Sequence, residues 1–220
     1  MIKIDKIIRS RRKTLALSVD EFGRLTVRAP VGVSEERIFS FVTKKEKWIR
    51  EKQTEKRAFL IQMPDEDLNG YAFSLLGKSC SVRLTDERAV RFDADAYELF
   101  VPRTQAMPKL VRWLQSTAEG YFQALTAKKA EEMQVTVKKV SISKTRGCWG
   151  QCSKENEIKY SYRALFMPRE VTEYLVVHEL AHIRHKNHSA QFWAEVQRFA
   201  PDFKTSRKKL KDRGIYMHLF

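Results

Sequence analysis

Four of the five histidines in this 220-residue chain lie within eleven consecutive positions, 178 to 188. His178 and His182 are four residues apart, so in a helix their side chains project from the same face, one turn from each other. Two neutral imidazoles at this spacing suit one zinc ion, and Glu179 beside them suits removal of a proton from a water that the zinc activates. Apolar residues surround the pair, which predicts a buried helix, and buried histidines and carboxylates are costly unless something binds them.

A catalytic zinc site needs a third protein ligand and one open position, and two histidines compete for the third place. On a straight helix, His185 would lie about 10 Å along the axis from His178, too far for two zinc–nitrogen bonds of about 2.0–2.1 Å. His188 can approach the same ion only if the helix ends first, and Lys186 and Asn187 offer that end because Asn tolerates the left-handed conformation. We therefore predict His188 as the third ligand and His185 as an exposed residue or one that supports a ligand.

The segment from His178 to Trp193 has the sequence H-E-L-A-H-I-R-H-K-N-H-S-A-Q-F-W. It resembles the active-site signature of the YgjP-like metallopeptidase family, which is related to the SprT-like and WLM zinc proteases. The resemblance implies that Glu179 is the general base and that three histidines are the zinc ligands: His178, His182 and His188. The spacing of the second and third ligands also equals that of metzincins, but His185 stands where metzincins have glycine, so that likeness is limited to spacing.

A second segment of the same resemblance lies upstream, where W-G-Q-C-S at 149–153 resembles the W-G-x-C-S block that precedes the zinc helix in this family. A strand predicted at 158–162 then comes before the helix. This order resembles that of many zinc proteases, in which an edge strand lines the cleft and an extended peptide pairs with it through backbone hydrogen bonds. Hydrolysis also needs a group that stabilises the oxyanion, and the sequence offers three candidates without ranking them: Arg146, Tyr160 and Tyr162.

Cys148 and Cys152 offer a competing interpretation of the upstream segment. Their C-x-x-x-C spacing could hold a structural metal, but the sequence has no second Cys/His pair upstream to complete such a site. We therefore expect the two cysteines to pack beside Trp149.

The N-terminal residues have the pattern of a small sheet followed by a helix. Alternating residues predict strands at 2–8, 14–19 and 24–28, the last two forming a hairpin. Ser34 is a suitable N-cap for a helix, whose apolar face would carry five side chains: Ile38, Phe41, Val42, Trp48 and Ile49.

A turn-forming segment at 64–70 is the best candidate boundary. It separates two predicted regions, 1–63 and 64–220, which could still form one compact unit. In the second region, the pattern predicts a hairpin and two short strands, then a long amphipathic helix, two further strands and, after the histidines, a helix capped by Ser189. The strands are predicted at 71–76, 79–84, 89–92, 97–101, 135–137 and 140–142, and the long helix at 104–133.

The predicted fold class is therefore α+β: N-terminal β-hairpins with helices, followed by a zincin-like strand and the helix that carries His178.

The composition, with 43% hydrophobic and 31% charged residues, is typical of a soluble globular protein. No run approaches the roughly 18 apolar residues that span a bilayer, and the first residues lack the apolar core of a secretory signal. Three cysteines do not make a disulfide framework. These features predict a cytoplasmic protein with no membrane partner.

The net charge of +15 is concentrated near the N-terminus, where residues 1–60 carry 16 basic and 8 acidic side chains. Such a surface could attract the phosphates of a nucleic acid. No nucleic-acid-binding motif accompanies it, so a solvated basic surface is the simpler interpretation.

These observations predict a zinc-dependent peptidase that acts on a protein or peptide through a zinc-activated water, with Glu179 as general base. Two other functions remain open: a zinc hydrolase of non-peptide amides, and a basic nucleic-acid-binding protein with a structural zinc. Glu179 argues against the last, because a closed structural site has no use for a carboxylate at that position.

Overall fold

The computed structural model describes residues 2–20, 22–60 and 67–220, and the chain divides into two compact units, Met1–Met63 and Pro64–Phe220. Within the described residues, six α-helices and three small sheets make an α+β fold, which confirms the predicted fold class. The first part of the turn predicted at 64–70 lies outside the described residues. None of the helices in the described ranges is long and apolar enough to cross a membrane.

A three-stranded sheet forms one layer of the first unit. It contains β1 (Lys6–Ser10), β2 (Ala16–Val19) and β3 (Leu25–Pro30). The central strand, β3, is antiparallel to β2 and parallel to β1. The predicted hairpin is therefore confirmed, whereas the first strand starts and ends later than the predicted 2–8, and β2 forms one edge of the sheet.

Two helices, α1 (Glu35–Lys44) and α2 (Glu46–Leu60), follow this sheet in place of one continuous helix. Ser34 caps α1 as predicted, because its hydroxyl accepts a hydrogen bond from the backbone N–H of Arg37 at 3.4 Å. The buried helix residues pack with those of β3 in one apolar cluster: Ile38, Val42 and Ile49 with Leu25, Val27 and Ala29.

Trp48 does not belong to that buried face. Its side chain is 40% exposed, so the prediction that it extends the apolar stripe is wrong. The physical reason is the helical rotation of about 100° per residue, which places position 48 on the flank of the stripe that Ile49 occupies.

The second unit begins with a four-stranded sheet in the order β4-β5-β7-β6. Its strands are β4 (Ala72–Leu75), β5 (Lys78–Thr85), β6 (Arg91–Asp93) and β7 (Glu98–Pro102). The β4–β5 pair confirms the second predicted hairpin, and its turn contains Leu76 and Gly77, both with positive φ. A Cβ on Gly77 would lie 3.2 Å from the Cα of Pro168, so this turn packs closely against the residue that precedes the histidine helix.

The long helix α3 (Ala106–Met133) packs against both the second sheet and the histidine helix. The predicted amphipathic helix is confirmed, because four residues at helical spacing are fully buried: Leu110, Leu114, Ala118 and Phe122. The helix ends at Gln134 in the left-handed conformation, and the N–H of Val135 still bonds to the oxygen of Ala130 at 3.0 Å. Because this helix end uses Val135, the strand predicted at 135–137 is wrong, and those residues are irregular.

The third sheet lies beside the histidines, with β8 (Lys139–Ser143), β9 (Gly150–Cys152) and β10 (Glu157–Ser161) in the order β8-β10-β9. The strand predicted at 158–162 is β10, and it is the central strand, parallel to β8 and antiparallel to β9. The expectation that this strand forms the edge along the cleft is therefore wrong. The edge strand beside the histidine helix is β9, which the W-G-Q-C-S segment supplies.

Three further α-helices complete the unit: α4 (Arg169–Arg184), α5 (Ala190–Phe199) and α6 (Phe203–Asp212). A buried 3-10 turn at Tyr162–Phe166 joins β10 to α4, and a second one at Gly214–His218 follows α6. Ser189 caps α5 as predicted, accepting a hydrogen bond from the N–H of Phe192 at 3.3 Å. The helix α4 lies between α3, α5 and β9, and this position buries most of its surface.

Candidate metal centre

The helix α4, which carries the first two histidines, is largely buried. Apolar residues on several sides of it are less than 5% exposed: Val171, Leu175, Val176, Val177, Leu180 and Ala181. This packing fixes the helix as a rigid support. One turn apart on it, His178 and His182 have ring centroids 5.0 Å from each other.

The end of α4 brings in the third histidine. His185 leaves the helix in an extended conformation (φ −122°, ψ 97°), and His188 lies in the loop just before the N-cap of α5. Asn187 is not among the residues with positive φ, so the left-handed helix end that we expected there is wrong. The helix ends before His188 nonetheless, and His188 lies over His178, with the two Nε2 atoms 3.2 Å apart.

One ligand atom from each of His178, His182 and His188 lies within 4.8 Å of the other two. Two nitrogens bound at about 2.0–2.1 Å to one tetrahedral zinc lie about 3.3 Å apart, close to the separation of the two Nε2 atoms. Burial, with the nearby His182 and His188, lowers the pKa of His178 to about 3. Burial also lowers the pKa of His182. Both imidazoles are therefore neutral at pH 7, the form that binds a metal, and the three residues fit a single divalent ion.

Hydrogen bonds to the far ring nitrogens orient two of the histidines. Nδ1 of His182 lies 3.0 Å from the backbone oxygen of His185, and because a carbonyl oxygen only accepts, Nδ1 must carry the proton. The Nε2 lone pair of His182 is then free for a metal. The hydroxyl of Tyr174 lies 3.4 Å from Nδ1 of His178. Such partners set the tautomer and the ring orientation of metal-binding histidines.

Two aromatic side chains of α5 hold the histidine rings in place. The ring of Phe192 lies 4.6–4.9 Å, centroid to centroid, from all three. Trp193 stacks on His188 with centroids 5.5 Å apart. These contacts already restrict rotation of the histidine rings. Binding of an ion would therefore cost less side-chain conformational entropy.

Glu179 lies between the histidines and the edge strand β9. Its side chain is 4% exposed, and burial raises its pKa to about 8. A Cβ added to Gly150 would lie 2.6 Å from Oε1 of Glu179. Only a residue without a side chain lets β9 approach the carboxyl group this closely.

A cleft of about 380 Å³ opens over these groups. The histidine helix and the loop after it form one wall, and β9 with the residues before it forms the other. The lining residues are Cys148, Gly150, Gln151, Cys152, His178, Glu179, His182, Lys186 and His188. Lys186 connects the loop after the histidine helix to the turn that follows β9, because its ammonium donates to the backbone oxygen of Ser153 at 3.2 Å and to Oδ1 of Asn156 at 2.8 Å.

The structure places the three oxyanion candidates away from this lining. Tyr160 is buried and stacks on Phe122, and its hydroxyl accepts a hydrogen bond from Thr126 at 3.2 Å. The hydroxyl of Tyr162 donates to the oxygen of Phe220 at 2.8 Å. Arg146 is exposed, and the cleft lining includes none of the three.

His185 and the two cysteines also have clear positions. Nε2 of His185 lies 2.7 Å from Glu195 of α5, so its side chain turns away from the other histidines while its backbone oxygen supports His182. Cys148 and Cys152 both line the cleft, the first exposed and the second half-buried. Among the described residues, neither belongs to the group whose ligand atoms lie close enough to share one ion.

Sequence reasoning did not connect Gly150 with Glu179, and it missed the contribution of Tyr174. Gly150 was visible within the W-G-Q-C-S segment, but the sequence does not show that its missing side chain makes room for Glu179. Tyr174 is one helical turn before His178, and that spacing could have indicated a hydrogen-bond partner for the ring.

The α+β fold therefore brings three histidines, whose ligand atoms could hold one metal ion, together with a buried carboxyl group in one cleft. Consistent with this, a family model described as YgjP-like, metallopeptidase domain, matches residues 13–213. The chain therefore belongs to the YgjP-like metallopeptidase family. Comparison with curated proteins found no match, and neither did comparison with solved structures.

Proposed function

We propose that the protein is a zinc-dependent peptidase with His178, His182 and His188 as ligands and Glu179 as general base. The observation that carries this proposal is the cluster of three histidine ligand atoms within 4.8 Å of one another, in the cleft that Glu179 also lines. Membership of a metallopeptidase family supports the reaction class. Three imidazoles with a fourth position open are the ligand set of a catalytic zinc.

When bound, zinc supplies two effects, lowering the pKa of a water toward about 7 and polarising the carbonyl to be cleaved. Glu179 contributes the proton transfer. Burial raises the pKa of Glu179 to about 8. A zinc ion bound by the neighbouring histidines would lower that pKa again, because a nearby positive charge favours the ionised carboxylate. The carboxylate would then accept a proton during attack and pass it to the leaving amine.

The edge strand β9 supports a peptide as the substrate. In the part of the chain that the structure describes, β9 pairs with β10 on one side and has no strand on the other, and its residues line the cleft opposite the histidines. An extended peptide can add to such an edge through backbone hydrogen bonds, which bind any sequence and leave side chains to set preference. A non-peptide amide has no comparable strand to pair with β9, so a peptide is the favoured substrate.

The first expected result concerns the metal. Purified protein should contain about one zinc per chain, lose cleavage of an unstructured protein such as casein after chelation, and regain it when zinc is added. Elemental analysis and the cleavage rate, followed on the same samples, measure both. A protein that cleaves casein at full rate without bound metal would contradict the proposal.

A second expected result concerns Gly150. In Gly150→Ala, the new methyl group must displace the Glu179 side chain, because the Cβ would lie 2.6 Å from Oε1. A catalytic group misplaced by about 1 Å costs on the order of 10²-fold in rate. The variant should therefore keep its zinc and lose about that factor in cleavage.

Gly147→Ala is the matched control for this variant. Among the described residues, none has an atom within 4 Å of a Cβ placed on Gly147, so this substitution should leave the cleavage rate within about twofold of the wild type. Equal activity of both variants would show that the close approach of β9 does not position Glu179.

A further inference from the structure

The first unit contains a groove that the peptidase site does not use. Two adjoining cavities, of about 650 and 270 Å³, share Phe41 as a lining residue. The groove lies between α1 and α2 on one side and the edge of the sheet on the other, where Leu15 and Leu17 line it. We call this feature the N-terminal groove.

Four cations line the N-terminal groove: Lys13, Arg37, Lys44 and Lys45. Among the described residues that line it, none is acidic. Within the described ranges, none of the four forms an ion pair with a carboxylate, although Arg24, Arg50 and Lys52 of the same unit do. The positive charge of the groove is therefore available to a ligand.

Aromatic surface accompanies this charge. Phe41 is half-buried and Trp48 is 40% exposed, and both line the groove. Cations that follow a backbone, combined with aromatic faces on which bases can stack, are the combination by which proteins hold single-stranded nucleic acid. The hydroxyls of Thr14 and Ser40 add neutral donors for phosphate or sugar oxygens.

We propose that the N-terminal groove binds single-stranded nucleic acid, with its four cations on phosphates and with Phe41 and Trp48 under the bases. A duplex fits these features less well, because its base faces are stacked inside and cannot reach the aromatic rings. An acidic peptide would match the charge but would leave Trp48 without a stacking partner. This binding is separate from peptide hydrolysis and does not depend on the metal.

The test uses the full-length protein and fluorescence anisotropy of labelled single-stranded DNA and RNA of about 12 nucleotides. Binding at low salt should weaken steeply as salt rises, with a slope of log K against log salt of about −3 for four phosphate contacts to a single strand. The double variant Arg37→Ala/Lys44→Ala should reduce that slope to about −1.5. Trp48→Ala should weaken binding about fivefold or more at an unchanged slope, and Trp48→Tyr should restore it, because base stacking carries little salt dependence.

Lys6→Ala/Lys47→Ala is the matched control, since it removes the same charge from exposed positions of the same unit that do not line the groove. It should bind nearly as tightly as the wild type. Equal losses in the two double variants would assign binding to the basic surface as a whole and overturn the proposal. So would the absence of any anisotropy change at low salt. Equal affinity for a labelled poly-glutamate peptide or for phosphatidylserine vesicles would also overturn it, in favour of that occupant.

Discussion

Glu179→Gln is expected to abolish peptide hydrolysis while zinc and fold are retained. Glutamine has nearly the same shape as glutamate, so it can occupy the narrow space beside Gly150. It cannot accept a proton near neutral pH, and the loss of a general base costs about 10²–10⁴ in rate. In the proposed site the three histidines are the metal ligands, so the substitution should remove no bond to the ion.

The measurement is the rate of casein cleavage, with bound zinc quantified in the wild type and in the variant. Circular dichroism melts of both proteins check that the fold is intact. Cleavage that continues at the wild-type rate in a zinc-loaded Gln variant would rule out Glu179 as the general base. Loss of zinc together with activity would instead make Glu179 a ligand, which also contradicts our assignment.

His188→Ala is expected to lose the metal, and with it all activity, whereas His185→Ala is expected to keep both. His188 places its Nε2 3.2 Å from that of His178, so its removal leaves two ligands on one helix. The side chain of His185 instead contacts Glu195. Its backbone oxygen, which accepts from His182, remains in the alanine variant.

Zinc content after dialysis and titration with a competing chelator distinguish the two variants. His185→Ala should hold about one zinc per chain, with an affinity that falls at most modestly because the support of His182 comes from the backbone. Retention of the metal by His188→Ala, with its loss from His185→Ala, would reverse the ligand assignment.

Local patterns were enough to predict several elements of the fold and most of the candidate site. The caps at Ser34 and Ser189 depend on one side chain and the N–H three residues later, so nearby sequence contains the information. The buried stripe of α3 follows directly from helical spacing. His178, Glu179 and His182 lie within five residues, and a single helix end is enough to bring in His188.

Features that depend on distant contacts could not be predicted in the same way. The strands β8 and β10 pair in parallel. The alternation of apolar and polar residues predicts that each is a strand, but it does not indicate which strands pair with each other. This is why β10 was expected at the edge while β9 occupies it. The strand predicted at 135–137 failed because the end of α3 uses the N–H of Val135, a local competition that periodicity does not show.

In the candidate site, too, local features could be predicted from the sequence and distant contacts could not. Gly150 lies 29 positions before Glu179 in the chain, and their close approach arises only when β9 packs against α4. Alternation could not tell which face of the strand Tyr160 would occupy, and the fold uses its hydroxyl in a contact with Thr126. The identity of the oxyanion-stabilising group thus depends on packing that only the folded chain defines.

The most direct test of the three-histidine centre is X-ray absorption at the zinc edge on the metal-loaded protein. The proposed site predicts three imidazole nitrogens at about 2.0–2.1 Å, with no sulfur in the first coordination shell. The spectrum of Cys152→Ser should then match that of the wild type. A sulfur shell at about 2.3 Å that disappears in Cys148→Ser or Cys152→Ser would show that a cleft cysteine binds the ion, and would contradict the assignment.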